Sequence, residues 1–243
     1  MSCAGRSPEE VSEGDPGERR RGQLYGRRKG PQLRPHQSEL IETLLPRLRL
    51  DLDSPALAQP SQLFCEPVAD VWLEIGFGGG EHLAWQAKAQ PEVGFIGCEA
   101  YVNGIAKLLA AIEAESLWNI RIHDGDAREL LARLGERTIG RVFLLFPDPW
   151  PKRRHHKRRI VTAETLAALH RIMRPGGLFR FASDSGDYVA WTLARVRAHG
   201  GFEWLAERPE DWRERPPDWP ETRYEAKARR QGRRPMFLSF RRL

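Results

Sequence analysis

The chain has 243 residues, 40% hydrophobic and 30% charged, with 39 Lys+Arg against 33 Asp+Glu. That is enough apolar material for one sizeable core, and no apolar run approaches the roughly 18 residues of a membrane helix, so one globular α/β or α+β unit is expected and no membrane span. The N-terminus lacks the apolar stretch of a secretory signal, and Cys3, Cys65 and Cys98 show no CxxC or CxxH spacing, which excludes a disulfide framework and a zinc cluster and points to a reducing cytoplasm.

Residues 1–30 are rich in Gly, Pro, Ser and charge without periodicity. They are expected to be a disordered extension or to order only on binding, with residues 31–243 forming the domain. Leu40, Ile41, Leu44, Leu45 and Leu48 recur at helical spacing over 38–50, and Pro46 predicts the end of that helix. From Val71 onward strands alternate with helices. Val71–Ile75 is a short apolar run stopped by glycines, Glu81–Ala89 a helix closed by Pro91, and Gly94–Cys98 a second strand. Ile105, Leu108, Leu109 and Ile112 stripe one face of the next helix. Ile120–His123 then reads as strand, Ala127–Leu134 as helix and Val142–Phe146 as strand. A helix over 162–173 is expected to stop at Pro175-Gly176-Gly177. Leu178–Ala182 is the fifth strand. Val189, Thr192, Leu193 and Val196 mark a helix ending at Gly200-Gly201, and Phe202–Leu205 and Met236–Phe240 are final strands around a basic insertion. Five β-α units in succession predict a doubly wound parallel sheet, with ligands at the carboxyl ends of its strands.

The first strand opens into LEIGFGGGEH (73–82). Gly76 and Gly78 let the backbone turn sharply and approach a ligand with no Cβ in the way. A nicotinamide or flavin site needs a third glycine at position 81, where Glu81 stands. The candidate ligands are acids instead: Glu74 inside the first strand end, Glu99 after the second strand and Asp126 after the third. Carboxylates repel a pyrophosphate and suit a cation, so S-adenosylmethionine, with its sulfonium, amino group and ribose hydroxyls, fits better. Each acid taken singly is also compatible with a helix cap or loop role.

The fourth strand runs into FPDPWPKRRHHKRR (146–159). The six cations Lys152, Arg153, Arg154, Lys157, Arg158 and Arg159 equal the whole excess of 39 bases over 33 acids. A carboxylate, Asp148, and an indole, Trp150, beside such a run suggest chemistry on a base within a polyanion. A solvated basic loop or a localisation signal would not require the Pro-Asp-Pro-Trp lead-in. Trp150 and Tyr224 are each open between stacking on a base and packing under a loop. His155 and His156 read as RNA-facing residues, since no third metal ligand is in register and no metal is expected.

These motifs, with GCEAY (97–101), HDGDA (123–127), RPGG (174–177), ASD (182–184) and TRYEAK (222–227), resemble those of bacterial tRNA (guanine-N7-)-methyltransferases. The likeness runs from about Tyr25 onward. The Pro-Asp-Pro-Trp-basic segment and the Thr-x-Tyr-Glu-x-Lys tail carry its specificity. It implies a single-domain, Rossmann-like, mostly parallel fold of the class I methyltransferase type, S-adenosylmethionine as cofactor, and methylation of N7 of the variable-loop guanine at position 46 of tRNA. It further implies cofactor binding by Glu74, Glu99 and Asp126, and a catalytic Asp148 close to the cofactor. Substrate contact falls to Lys152, Asp184, Thr222, Arg223, Tyr224 and Glu225, and RNA contact to Arg154, His155, His156, Lys157, Arg158 and Arg159. Pro151 departs from the His that relatives often carry. Three rivals stand beside this reading: an adenine- or cytosine-amino methyltransferase, whose acid-aromatic order differs; a non-catalytic RNA-binding module; and a dehydrogenase. The oligomeric state, monomer or homodimer, is open.

Overall fold

The computed structural model describes Gly26 and residues 28–243. Two short helices, α1 (Pro35–Thr43) and α2 (Leu45–Leu48), lead into β1 (Asp70–Ile75), α3 (Glu81–Ala89), β2 (Val93–Cys98), α4 (Val102–Glu115), β3 (Ile120–His123), α5 (Ala127–Arg133) and β4 (Ile139–Leu145). After a short 3-10 helix in the basic segment (Arg153–Arg158) come α6 (Ala163–Ile172), β5 (Met173–Ser183), α7 (Gly186–His199), β6 (Phe202–Trp204), α8 (Glu210–Arg213), α9 (Arg223–Arg230) and β7 (Met236–Arg242).

The strands form one seven-stranded sheet in the order β3-β2-β1-β4-β5-β7-β6. The first five are parallel, and β7 inserts antiparallel between β5 and β6. The five β-α units and the mostly parallel, Rossmann-like sheet expected from sequence are therefore present. Alternation along the strands sends side chains to two apolar layers. Leu73, Ile75, Val142 and Phe181 join Leu130, Leu166 and Tyr188 of α5, α6 and α7 on one face. Trp72, Phe95 and Phe143 join Leu83, Leu108 and Leu109 of α3 and α4 on the other. Between β1 and β4 the winding reverses, which opens a crevice at the carboxyl end of the sheet.

Local differences from the sequence expectation have physical causes. Pro46 does not end the first helix but occupies the first turn of α2, where its missing N–H is no loss. The Pro175-Gly176-Gly177 turn lies inside β5, because α6 has already stopped at Ile172 and Met173 pairs with Ile139 before the register resumes at Arg141 and Leu178. Gly176, at φ 77°, absorbs that irregularity. The disorder expected for residues 1–30 lies outside the described residues except at Gly26 and 28–30. There the Arg28 carbonyl accepts the Val102 N–H at 3.0 Å, and the Gly30 N–H donates to Asn103 Oδ1 at 2.7 Å, so the chain enters the domain across the start of α4.

Candidate active site

The crevice holds a cavity of about 380 Å³. Its floor is the loop between β1 and α3. Gly76, Gly78 and Gly80 all take left-handed φ values of 73°, 58° and 80°, which only glycine adopts without strain. A side chain at Gly104, in the first turn of α4, would place its Cβ 2.0 Å from the Gly78 carbonyl oxygen. Helix α4 thus lies directly on the loop.

Three carboxylates line the cavity from three successive strand ends: Glu99 beyond β2, Asp126 beyond β3 and Asp148 beyond β4. Glu99 Oε2 accepts the Gly78 N–H at 2.8 Å, and Oε1 accepts the N–H groups of Ala100 and Tyr101 at 2.8 and 3.0 Å. Burial pushes its carboxyl above the ordinary glutamate range in spite of those three donors, with the nearby Asp148 adding to the rise. Asp126 caps α5 by accepting the Arg128 N–H at 3.0 Å, and the Arg128 guanidinium pairs with both of its oxygens. Desolvation works against that carboxylate, but the Arg128 contacts outweigh it and the net effect is downward. Asp148 stands at the mouth. Its side chain is open to solvent on one side, yet the surrounding walls desolvate it enough to lift it above the ordinary aspartate range.

The Pro-Asp-Pro segment is bracketed by two non-glycine residues in the left-handed region, Phe146 at φ 51° and Trp150 at φ 45°. Such conformations cost on the order of 1–3 kcal/mol each and persist where surrounding contacts impose them. The Phe146 N–H donates to the Ala182 carbonyl at 2.7 Å. The Trp150 ring meets the His155 ring at 5.9 Å and lies 4.8 Å from the Arg158 guanidinium. Trp150 and Arg158 both line the cavity.

The remaining expected site residues divide into three groups. Tyr224 comes from α9 to line the cavity, and a Cβ on Gly78 would lie 3.0 Å from its ring. Arg223 beside it pairs with Glu81 at 3.3 Å. Lys152, Arg154 and Lys157 are exposed on the outer side, with His155 half-buried among them. Slight desolvation and the surrounding cations hold that imidazole below its ordinary 6.5. Asp184, at the end of β5, is paired with Arg233 at 3.1 Å and does not line the cavity.

Five expected site residues occupy structural positions. Glu74 is buried on the α3 face of β1 and accepts from His82 Nδ1 at 2.7 Å, away from the cavity wall. Arg159, expected on RNA, is only 2% exposed. It donates to the Pro149 carbonyl at 2.8 Å, pairs with Asp187, and packs its guanidinium 4.8 and 4.9 Å from the Tyr188 and Trp191 rings. It anchors the basic loop from behind. Thr222 caps α9 by accepting the Glu225 N–H at 3.2 Å, and buried Glu225 pairs with Arg215 and Arg229. His156, half-buried, faces the Trp191 ring at 5.2 Å.

Sequence reasoning missed several wall residues, among them Cys98, Tyr101, Leu144 and Ile160. The first and third are strand-end residues in the crevice, a position that follows from the parallel topology alone. Among the described residues no group of three His, Cys, Asp or Glu side chains could hold a metal ion.

The wall chemistry suits one kind of cofactor. Among the described residues, three carboxylates and one cation, Arg158, face the cavity beside the apolar side chains of Ile75, Ala127 and Leu144. The loop spends its Gly76, Gly78 and Gly80 N–H groups on the Cys98 carbonyl, Glu99 and the Phe77 carbonyl, and the neighbouring acids oppose a pyrophosphate. Acceptors for ribose hydroxyls, an apolar slot and acidic surroundings for a positive group fit S-adenosylmethionine. Fold and site together define a Rossmann-like methyltransferase that uses S-adenosylmethionine.

A family profile described as "Putative methyltransferase" matches residues 68–238. The tRNA (guanine-N(7)-)-methyltransferase of Nitrobacter hamburgensis is 55% identical over 221 residues, covering 91% of this chain and 87% of that protein. That of Rhizobium meliloti is 52% identical over 219 residues, covering 90% and 94%. The chain belongs to the tRNA (guanine-N(7)-)-methyltransferase family. A solved 16S rRNA (adenine(1408)-N(1))-methyltransferase from Catenulisporales acidiphilia shares the fold at TM-score 0.50 and 16% identity, covering 80% of this chain and 94% of that one.

Proposed function

We infer that this protein transfers a methyl group from S-adenosylmethionine to N7 of a guanine in tRNA, the variable-loop guanine at position 46, forming 7-methylguanosine. The observation that carries this reading is Asp148, held at the mouth of the cofactor cavity by a bent loop whose next residues are the exposed cations Lys152, Arg153, Arg154 and Lys157. The names of the 52–55% identical relatives support the same substrate. The reading places the protein in the cytoplasm as a monomer or homodimer; among the described residues no helix is long and apolar enough to cross a membrane.

S-adenosylmethionine supplies a methyl group already activated on a sulfonium. Guanine N7 has a lone pair and no proton, so the site needs no general base. It needs alignment of the base with the methyl group and stabilisation of the charge that develops on the imidazole ring. Asp148 meets both needs: its carboxylate accepts the guanine N1–H and N2–H, and its charge opposes the positive charge forming on the base. Glu99 and Asp126 hold the ribose and adenine ends of the cofactor, and Tyr224 covers the glycine loop from the substrate side. Lys152, Arg154 and Lys157 hold the phosphate backbone, with Arg223 at the α9 side. Glu74, Arg159, Thr222 and Glu225 act by fixing the elements that carry these groups.

Incubation of unmodified tRNA with labelled S-adenosylmethionine, followed by nucleoside mapping, tests the reading. Label should appear in 7-methylguanosine, and label in another nucleoside refutes the assignment. Asp148→Asn should lower turnover by about 10²-fold or more, the scale of a lost charge-stabilising contact. Near-normal turnover in that variant would remove Asp148 from the chemistry.

A further inference from the structure

A second cavity, of about 440 Å³, lies behind the basic loop between α5 and the start of α6. That is within the range of ligand pockets, roughly 300–1,000 Å³. Its wall combines two chemistries. Half-buried Ile160 and Ala168 supply apolar surface, backed by the core residue Leu131, while Lys157 and Arg158 bring positive charge from the basic run itself. The lining carboxylates are already engaged: Asp126 by the Arg128 guanidinium, and Glu164 by the Thr162 hydroxyl and its own N–H.

The two cavities share a partition, since Asp126, Arg158 and Ile160 line both. Successive nucleotides are joined by a single phosphodiester. Asp148 and Arg158 line the same cavity, so a guanine presented at Asp148 carries its neighbouring nucleotide toward the basic loop that forms this partition. Single-stranded RNA is read with its bases splayed out onto apolar or aromatic surface, while cations follow the backbone. An apolar pocket rimmed by Lys157 and Arg158 matches that requirement, whereas a purely electrostatic contact would need only a flat charged face.

We propose that the second cavity receives the nucleotide adjacent to the target guanine, with its base against Ile160 and Ala168 and its phosphate on Lys157 and Arg158. The proposal rests on the RNA-methylation reading above and deepens it, because it gives the enzyme a contact with sequence or conformation next to the methylated base.

Filling the cavity tests it. Ala168→Trp does so from the half-buried face of α6, and Ala132→Trp from the exposed rim of α5, where the fold is not at risk. Each variant should raise KM for tRNA at least fivefold, with affinity for S-adenosylhomocysteine within twofold of wild type. The decisive substrates are tRNAs made abasic immediately 5′ or 3′ of the target guanine. Wild type should lose at least fivefold in kcat/KM on one of them, and the filled variants should show no further loss on that same tRNA, the signature of a shared contact. Full penalty in the filled variants, or no penalty with either abasic tRNA, overturns the proposal. A parallel loss of S-adenosylhomocysteine affinity also overturns it, by assigning the cavity to the cofactor. Nucleoside mapping separates the two readings. Label in 7-methylguanosine with unchanged tRNA kinetics in the filled variants removes the second cavity alone, while absence of 7-methylguanosine from wild-type product removes the methylation reading.

Discussion

The pair formed by Glu74 and His82 joins β1 to α3 beneath the glycine loop, and replacing His82 with Leu isolates its contribution. Glu74 is 4% exposed and His82 2%. The His82 ring packs 4.7 Å from Phe143 and 5.9 Å from Trp219, and Gln86, 3.3 Å from His82 Nε2, donates to the Asp218 carbonyl at 2.8 Å. Leu fills a similar volume, so the main loss in His82→Leu is the partner of a buried carboxylate. Removing one member of such a pair costs about 3–5 kcal/mol. In a domain of this size each kcal/mol corresponds to roughly 2–4 °C, so the melting temperature should fall by on the order of 10 °C in scanning calorimetry. Glu74→Gln keeps an acceptor for the ring without a buried charge and should cost under about 2 kcal/mol. The double replacement of both residues by Leu should be more stable than His82→Leu alone, since no buried charge is left. A His82→Leu protein melting within about 2 °C of wild type would refute the idea that this pair matters to the loop above it.

Three further outcomes are expected. Gly104→Ala gains helix propensity of about 0.5–1 kcal/mol, but its Cβ meets the Gly78 carbonyl at 2.0 Å, so α4 must lift from the loop; calorimetric titration should show S-adenosylhomocysteine binding weakened tenfold or more, and unchanged affinity would contradict the close approach. Burial lifts Asp148 and Glu99 above their ordinary 3.8 and 4.5, so the acid limb of the methylation rate should lie above pH 3.8 and lose its Asp148 component in Asp148→Asn. On stability the raised groups act in the opposite sense to Asp126 and Asp218, which are lowered: the contribution of Asp126 and Asp218 is present above the ordinary carboxylate range and lost on acidification, whereas that of Asp148 and Glu99 is present below it and lost as pH rises through their lifted values. Finally, Arg154→Gln and Lys157→Gln should each reduce the salt dependence of tRNA binding by about one unit in log–log slope. Arg159→Met should leave that slope unchanged while lowering the melting temperature, because its guanidinium is buried against Tyr188 and Trp191.

Much of the fold was legible because parallel α/β architecture writes itself locally. The stripe Ile105, Leu108, Leu109 and Ile112 falls on the buried face of α4, and the glycine loop and the acids Glu99 and Asp126 stand where strand ends place them. What stayed hidden depends on contacts distant in sequence. Glu74 looks like another strand-end acid until the alternation of β1 is followed: Leu73 and Ile75 face the α5–α7 layer, so Glu74 must face α3, where His82 waits. No such local rule reaches Arg159. It is one cation in a basic run, and only the arrival of Tyr188 and Trp191 from α7 separates it from Lys157 and Arg158. Thr222 and Glu225 belong to the Thr-x-Tyr-Glu motif, but their three-residue spacing is also that of a capping pair, and that is how the structure uses them.

The insertion of β7 between β5 and β6 has a consequence for how the protein is made. Among the described residues β6 has one sheet neighbour, β7 (residues 236–242), which follows it in the chain, so β6 cannot pair until β7 is free to fold. Everything between, including α9 and the Tyr224 that roofs the glycine loop, is a detour between two adjacent strands. That detour is drawn tight only when β7 slides in beside β5. The nascent chain can assemble β1 to β5 with their helices and so form three carboxylate walls of the cavity early. Its roof depends on β7, so a chain in which β7 has not docked is expected to hold an open half-site.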